Sequence, residues 1–313
     1  MTTRALTGDA RLMAGFWLGV VGVTCFAITL PATRLATGSA GDPQLAPAFV
    51  TVGRAALAGL LSVVFLLATR SHWPARRHWL PLLGAVAGNV VGYPLLLALA
   101  LRHVTAVHAA VITALLPLVT AVAAALILGQ RARLGFWLCA VLGSALVVVY
   151  AWLRAHGAGG FGLTAADGLL LGAVVAASVG YVCGAQVTPA LGAERVICWM
   201  CALALPVSLP AALWLWPDTA VQPVRASSWL GFVYVGTVSM WAGFFAWFRG
   251  LDWGGALRVS QVQLLQPFLS MLFAVPLLGE RLDALSLGFA LAVVATVVAS
   301  RRLARPLVRQ RRS

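Results

Sequence analysis

The sequence predicts an all-α integral membrane protein of ten transmembrane helices, arranged as two five-helix repeats of inverted topology. Three observations carry that fold class. Hydrophobic residues make up 61% of the 313 and charged ones 10%, whereas a soluble domain needs about a quarter charged to cover its surface. The apolar runs are continuous rather than alternating, so each satisfies its backbone as a helix and not as a barrel strand. The chain also states one plan twice. Residues 101–131 (LRHVTAVHAAVITALLPLVTAVAAALILGQR) return as 251–281 (LDWGGALRVSQVQLLQPFLSMLFAVPLLGER) at a constant offset of 150. Pro117 matches Pro267, Leu128-Gly129 matches Leu278-Gly279 and Arg131 matches Arg281. The ungapped match reaches back to Trp79-Leu80 against Trp229-Leu230.

At roughly 20 residues per crossing, spans fall at 14–36, 46–69, 79–101, 107–128, 134–153, 165–187, 195–216, 228–250, 257–278 and 282–300. They divide the chain into a first repeat (1–153), a linker (154–163), a second repeat (164–300) and a basic tail (301–313). The first span follows Arg4 and Arg11 and imitates a signal peptide. Its apolar run is too long for a cleaved one, so it reads as an uncleaved signal anchor. Pro31 lies within it and interrupts its backbone ladder.

The second span carries Arg54, the only charge placed well inside a span. It either snorkels or pairs with a carbonyl, which is the structural role favoured here, or it meets an anionic substrate group. On the third span Asn89 and Tyr93 share a face at i and i+4. Asn89 reads equally as cavity lining or as a hydrogen-bonding link between helices. His108 opens the fourth span, where an interfacial hydrogen bond explains it, and Pro117 breaks that span further on. The sixth span brings Tyr181, with Gln186 beyond it.

Cys198 and Cys201 form a CxxC on the seventh span, separated by Trp199 and Met200 and with no His or second pair nearby. They read as small apolar packing, not as a metal or redox site. The eighth span sets Trp241, Phe244, Phe245 and Phe248 at helical spacing beside the small Ser239 and Gly243. That stripe is either core or the wall of a cavity. The ninth span begins after a predicted tight turn at Asp252-Trp253-Gly254-Gly255 and holds Gln261, Gln263 and Gln266. At 100° per residue Gln263 and Gln266 share a face and Gln261 lies well around the helix. Neutral amides both donate and accept, which suits an amino or carboxylate group without fixing a charge in lipid.

Net charge is +14, every basic residue is Arg, and the arginines lie mainly between apolar runs or at the C-terminus. That is the positive-inside pattern of a membrane protein, which argues against a nucleic-acid patch. With a cytoplasmic N-terminus, 16 arginines fall inside and five outside, so both termini are predicted cytoplasmic in a multi-pass inner-membrane protein. The run 301–312 then anchors to anionic lipid headgroups. An odd number of spans per repeat inverts the second repeat, a pattern that marks alternating-access transporters with a site near mid-membrane.

The residues Ala98-Leu99 to Ala106, Pro117 and Leu128-Gly129-Gln130-Arg131 resemble the EamA domain of the drug/metabolite transporter superfamily. The second copy, Phe248-Arg249-Gly250-Leu251, Gln266-Pro267 and Leu278-Gly279-Glu280-Arg281, resembles it more closely, and the match spans essentially the whole chain as two tandem units. Arg54 sits where such domains often carry an Arg. The acidic residue usual in this motif is Gln130 in the first copy and Glu280 in the second, which weakens a catalytic role for the position. The resemblance implies ten helices around a central cavity and export of a small metabolite; in overall character the chain also resembles the YddG-type exporters of aromatic amino acids.

From these residues the expected substrate-binding set is Gln261, Gln263, Gln266, Trp241, Phe245, Asn89, Tyr93 and Tyr181. Pro31, Pro117, Pro267 and Arg54 are expected to serve structure or hinge motion. The eight acidic residues all fall at span ends or in loops, so facilitated exchange is predicted over proton coupling, which usually needs a buried carboxylate. No P-loop, metal-ligand set or nucleophile–base pair is present, so neither an enzyme nor a cofactor is predicted. The partners are a small-molecule substrate and membrane lipid. A monomer suffices, because both repeats lie in one chain, and a homodimer is compatible.

Overall fold

A computed structural model of the chain describes residues 8–127, 134–157, 164–218, 223–254 and 260–303. The first copy of the Leu-Gly-Gln-Arg motif (128–131), Arg258, most of the predicted linker and the tail beyond residue 303 lie outside the described residues. The described elements are helical. They are α1 (Asp9–Thr37), α2 (Pro47–Ala68), α3 (Arg76–Ala100) and α4 (Ala106–Ile127), then α5 (Leu134–Gly157). There follow α6 (Ala165–Leu191), α7 (Glu194–Trp214), α8 (Ala226–Gly250) and α9 (Val262–Leu278), and α10 (Ala284–Leu303). Among the described residues seven helices are long and apolar enough to cross a membrane, and the apolar parts of α5, α9 and α10 are shorter.

Helix partners exchange as a twofold relation between repeats requires. α1 packs on α8 as α6 packs on α3, and α4 packs on α6 as α9 packs on α1. The pairs α2–α7, α5–α10 and α4–α9 join a helix to its own counterpart. Close approaches rest on glycine. A Cβ at Gly250 would meet the Gly19 backbone at 2.7 Å, and one at Gly88 would meet Ala176 O at 2.3 Å. Small residues let backbones meet where lipid supplies no hydrophobic drive for helices to associate.

Two irregularities recur at matching places. α3 and α8 each contain a π-helical stretch, Val86–Gly92 and Tyr234–Ala242, which overlap when the repeat offset is applied. α4 breaks between Ala106–Thr113 and Leu116–Ile127. α9 starts as a 3-10 helix, Ser260–Leu265, and becomes α-helical at Gln266–Leu278. In both cases the break stands immediately before the matched proline, which has no N–H to donate and crowds the carbonyl four residues back. Pro31 acts similarly in α1. It releases Ala27 O, and Ser270 Oγ from α9 donates to that carbonyl at 2.8 Å.

One expected turn takes another form. The helix that contains α8 continues through Gly254, so Asp252, Trp253 and Gly254 are its last turn; Gly255 lies outside the described residues. The helical spacing sets Arg249 over the Trp253 ring, 5.9 Å from its centroid, and Arg11 approaches the same ring at 5.7 Å.

Candidate functional site

The irregular backbone converges on a cavity. Thr113, Leu116 and Thr120 from α4 face Gln263, Gln266 and Ser270 from α9 across a space of about 150 Å³, with Tyr93 and Tyr181 at its side. These are repeat partners: Thr113 with Gln263, Leu116 with Gln266, Thr120 with Ser270, each 150 positions apart. The cavity thus sits where the two repeats meet.

A larger chamber of about 610 Å³ adjoins it. Phe26, Phe244, Trp247 and Phe248 form one wall, and Gly180 and Gly184 of α6 with Ile197 and Met200 of α7 form the other. Gln263, Thr120 and Tyr181 belong to both spaces. A third, narrow space of about 50 Å³ links them and is bordered by Arg54, Thr29, Asn89, Tyr93, Ser239 and Gln266, among others. Asn89 and Ser239 are again repeat partners. The walls combine aromatic bulk with a few convergent polar groups, which is the usual character of a small-molecule site.

Polar side chains here are held by specific bonds. Ser239 Oγ and Thr29 Oγ1 share a hydrogen at 2.7 Å, and Arg54 Nη2 donates to Ser239 Oγ at 3.4 Å. Thr120 Oγ1 donates to Ser178 Oγ at 3.1 Å. With its amide oriented to satisfy both groups, Asn89 donates to Ala177 O at 3.1 Å and accepts from Tyr181 N at 3.3 Å. Asn89 therefore links α3 to α6 and lines the cavity as well. Arg54 is 4% exposed, in a setting where an arginine at mid-helix costs about 2.5–3.5 kcal/mol to insert.

The two ends of the cavity differ. Toward the α6–α7 turn the chamber opens into a groove of about 820 Å³, sharing Thr188 and Phe248 with it and bordered by Glu194, Arg195, Arg249 and Trp253. A half-exposed ion pair, Glu194 Oε1 to Arg249 Nη2 at 2.9 Å, crosses there. At the opposite end, α9 is tied to the start of α4. Gly279 takes φ 68° as the left-handed residue that ends α9. Glu280 follows and accepts from Ala106 N at 2.8 Å and Val107 N at 2.9 Å. Thr105 caps the same helix end through His108 N at 3.1 Å, so three of the four free N–H groups at the start of α4 are satisfied. Arg34 Nη1 donates to Leu101 O nearby.

The structure places Gln263, Gln266, Asn89, Tyr93 and Tyr181 on the cavity walls together. The side chain of Gln261 lies outside the described residues. Trp241 and Phe245 border none of these spaces; they stand 4.5 Å apart, centroid to centroid, and pack on Phe65 of α2. Phe244 and Phe245 are neighbours on one α-helix and point about 100° apart, so Phe244, with Trp247 and Phe248, faces the chamber while Phe245 turns to α2. Arg54, assigned a structural role from sequence, forms part of the wall. Thr29, Thr113, Thr120 and Ser270 escape sequence reasoning, although applying the offset of 150 to Gln263 points to Thr113; Ser239, read there only as a small residue beside the aromatic stripe, is the partner of Asn89 by the same offset.

The profile of the EamA-like transporter family matches residues 13–152 and 164–301. A Bacillus subtilis (strain 168) protein, "Uncharacterized transporter YdeK", is 40% identical over 290 residues, covering 92% of this chain and 98% of that one. A solved structure described only as the crystal structure of a protein aligns with a TM-score of 0.62 at 22% identity, over 94% of this chain and 98% of that chain. This last likeness concerns the fold alone.

Proposed function

The chain belongs to the EamA-like transporter family, a multi-pass membrane protein, and from that premise we propose that it exports small metabolites, namely amino acids with aromatic ones among them, across the inner membrane. Movement is by alternating access: the inverted repeats exchange which end of the cavity is open, and both termini face the cytoplasm. The groove at the α6–α7 turn is then the cytoplasmic mouth, and the Glu280 cap closes the outer end.

The observation that carries this proposal is the pairing of an apolar, aromatic-walled chamber of about 610 Å³ with amides, tyrosines and a guanidinium beside it. An amino acid with a large apolar side chain presents the matching set of surfaces: apolar body, donor and acceptor. A multidrug exporter of cationic compounds fits less well, because Arg54, which borders the cavity, is itself a cation.

Counterflow tests the proposal. Purified protein in liposomes preloaded with unlabelled L-phenylalanine should accumulate external labelled phenylalanine above equilibrium, and empty liposomes should not. If no amino acid of the twenty sustains counterflow while cationic dyes do, the multidrug alternative replaces it.

A further inference from the structure

We propose that Arg54 is the docking group for a carboxylate on the transported solute, which fixes the substrate class as small organic acids and zwitterions with an apolar body. The inference rests on reading the chain as an amino-acid carrier and adds the part of the substrate that must be present.

Arg54 is 4% exposed, yet of its three guanidinium nitrogens only Nη2 has a partner, Ser239 Oγ at 3.4 Å. Nε and Nη1 are buried with no hydrogen-bond partner among the described residues. A buried guanidinium needs an opposing charge or several acceptors. Five described carboxylates are committed elsewhere. Asp167 is bonded to His108 at 2.6 Å, Glu194 to Arg249, Asp42 to Arg225, Asp283 to Ser286 and Glu280 to the start of α4. Among the described residues Arg54 is thus a buried anion receptor with no carboxylate hydrogen-bonded to it.

The surroundings select the anion. The adjoining space of about 50 Å³ has room for a group of a few atoms. It is bordered by Tyr93, Tyr181, Ser239 and Gln266, whose hydroxyls and amide are able to donate to an oxyanion. One cation suits a singly charged carboxylate, and a phosphate monoester would bring nearly two charges. The same space shares Asn89, Tyr181 and Phe244 with the aromatic chamber, so a solute held by its carboxylate at Arg54 extends its apolar part toward Phe26 and Phe248. Guanidinium and carboxylate pair with strong, directional hydrogen bonds, which would give the site a requirement for the acid and not merely for its bulk.

The test uses purified full-length protein in liposomes and compares solutes that differ at one group. Competition against labelled L-phenylalanine counterflow should follow the free acid, with L-phenylalaninamide and phenethylamine weaker by about tenfold or more. Phenylacetate, which keeps the carboxylate and loses the amine, should remain a competitor. Arg54→Gln should lower transport by about tenfold or more, and Arg54→Lys should recover part of it, with thermal unfolding of each variant recorded. If phenylalaninamide competes as well as the free acid on the wild type, the inference is overturned whether or not the variants fold. If no amino acid undergoes counterflow but phenylacetate does, Arg54 keeps its role and the amino-acid assignment falls. If neither class moves, both fall.

Discussion

At the break in α4 the chain presents Thr113 and Leu116 to the cavity, and at the matching break in α9 it presents Gln263 and Gln266. Both breaks precede a proline and both open the backbone at the same place in the repeat. The α4 hydroxyl turns back on its own helix, Thr113 Oγ1 donating to Ala109 O at 2.8 Å. The α9 amides border the shared space. Backbone irregularity is therefore common to the two copies, and much of the chemistry belongs to one. A carrier needs the first to be symmetric if its repeats are to exchange shapes, whereas the ligand, which has no symmetry, requires the second to differ.

The π-helical stretches give the sharpest way to break this comparison. In the first copy a Cβ at Gly88 would lie 2.3 Å from Ala176 O and 2.8 Å from the Gly180 backbone; in the second, a Cβ at Gly236 would meet the end of the Leu57 side chain at 3.0 Å. Backbone cannot yield as a leucine methyl can. Gly88→Ala should cost about 3 kcal/mol or more and Gly236→Ala less than about 1 kcal/mol. Thermal unfolding of the two purified variants checks this, and equal losses would mean that the stretches pack alike.

The closing acid of the repeat gives a smaller effect. Glu280→Gln keeps one acceptor for Ala106 N or Val107 N but removes the charge at the helix start, for an expected loss of about 1 kcal/mol. The sequence has made that change itself in the other copy, at Gln130, so Gln130→Ala should cost less than Glu280→Ala by the same unfolding assay. Smallest is Thr113→Val, whose bond stays within its own helix; a change below about 0.5 kcal/mol is expected. Ser270→Ala, by contrast, strands the Ala27 carbonyl that Pro31 releases and should cost about 1 kcal/mol.

Much of the fold could be read from sequence because lipid enforces simple rules. Apolar runs of spanning length, an offset of 150 and three in-span prolines locate the helices and their breaks. The tight turn at Asp252 was misplaced because Arg249 and Trp253 meet only if the helix continues. The site was harder. Gln263, Gln266, Asn89, Tyr93 and Tyr181 stand out as polar groups in apolar runs, and the structure groups them. Trp241 and Phe245 pack on Phe65 of α2 instead, because an aromatic stripe at helical spacing is wide enough to serve the cavity with one edge and a neighbouring helix with the other. The place of Arg54 depends on where eight helices meet, which its own helix does not encode.

The central claim is that the α9 break, and not its α4 counterpart, supplies the cavity's recognition chemistry. Counterflow of L-phenylalanine by Gln263→Ala and Gln266→Ala, measured beside Thr113→Ala and Leu116→Ala at matched protein per liposome, tests it most directly. The account predicts a loss of about tenfold or more for the α9 pair and less than about twofold for the α4 pair, with all four variants inserted and monodisperse. Equal losses from both breaks, or no loss from the glutamine variants, would contradict it.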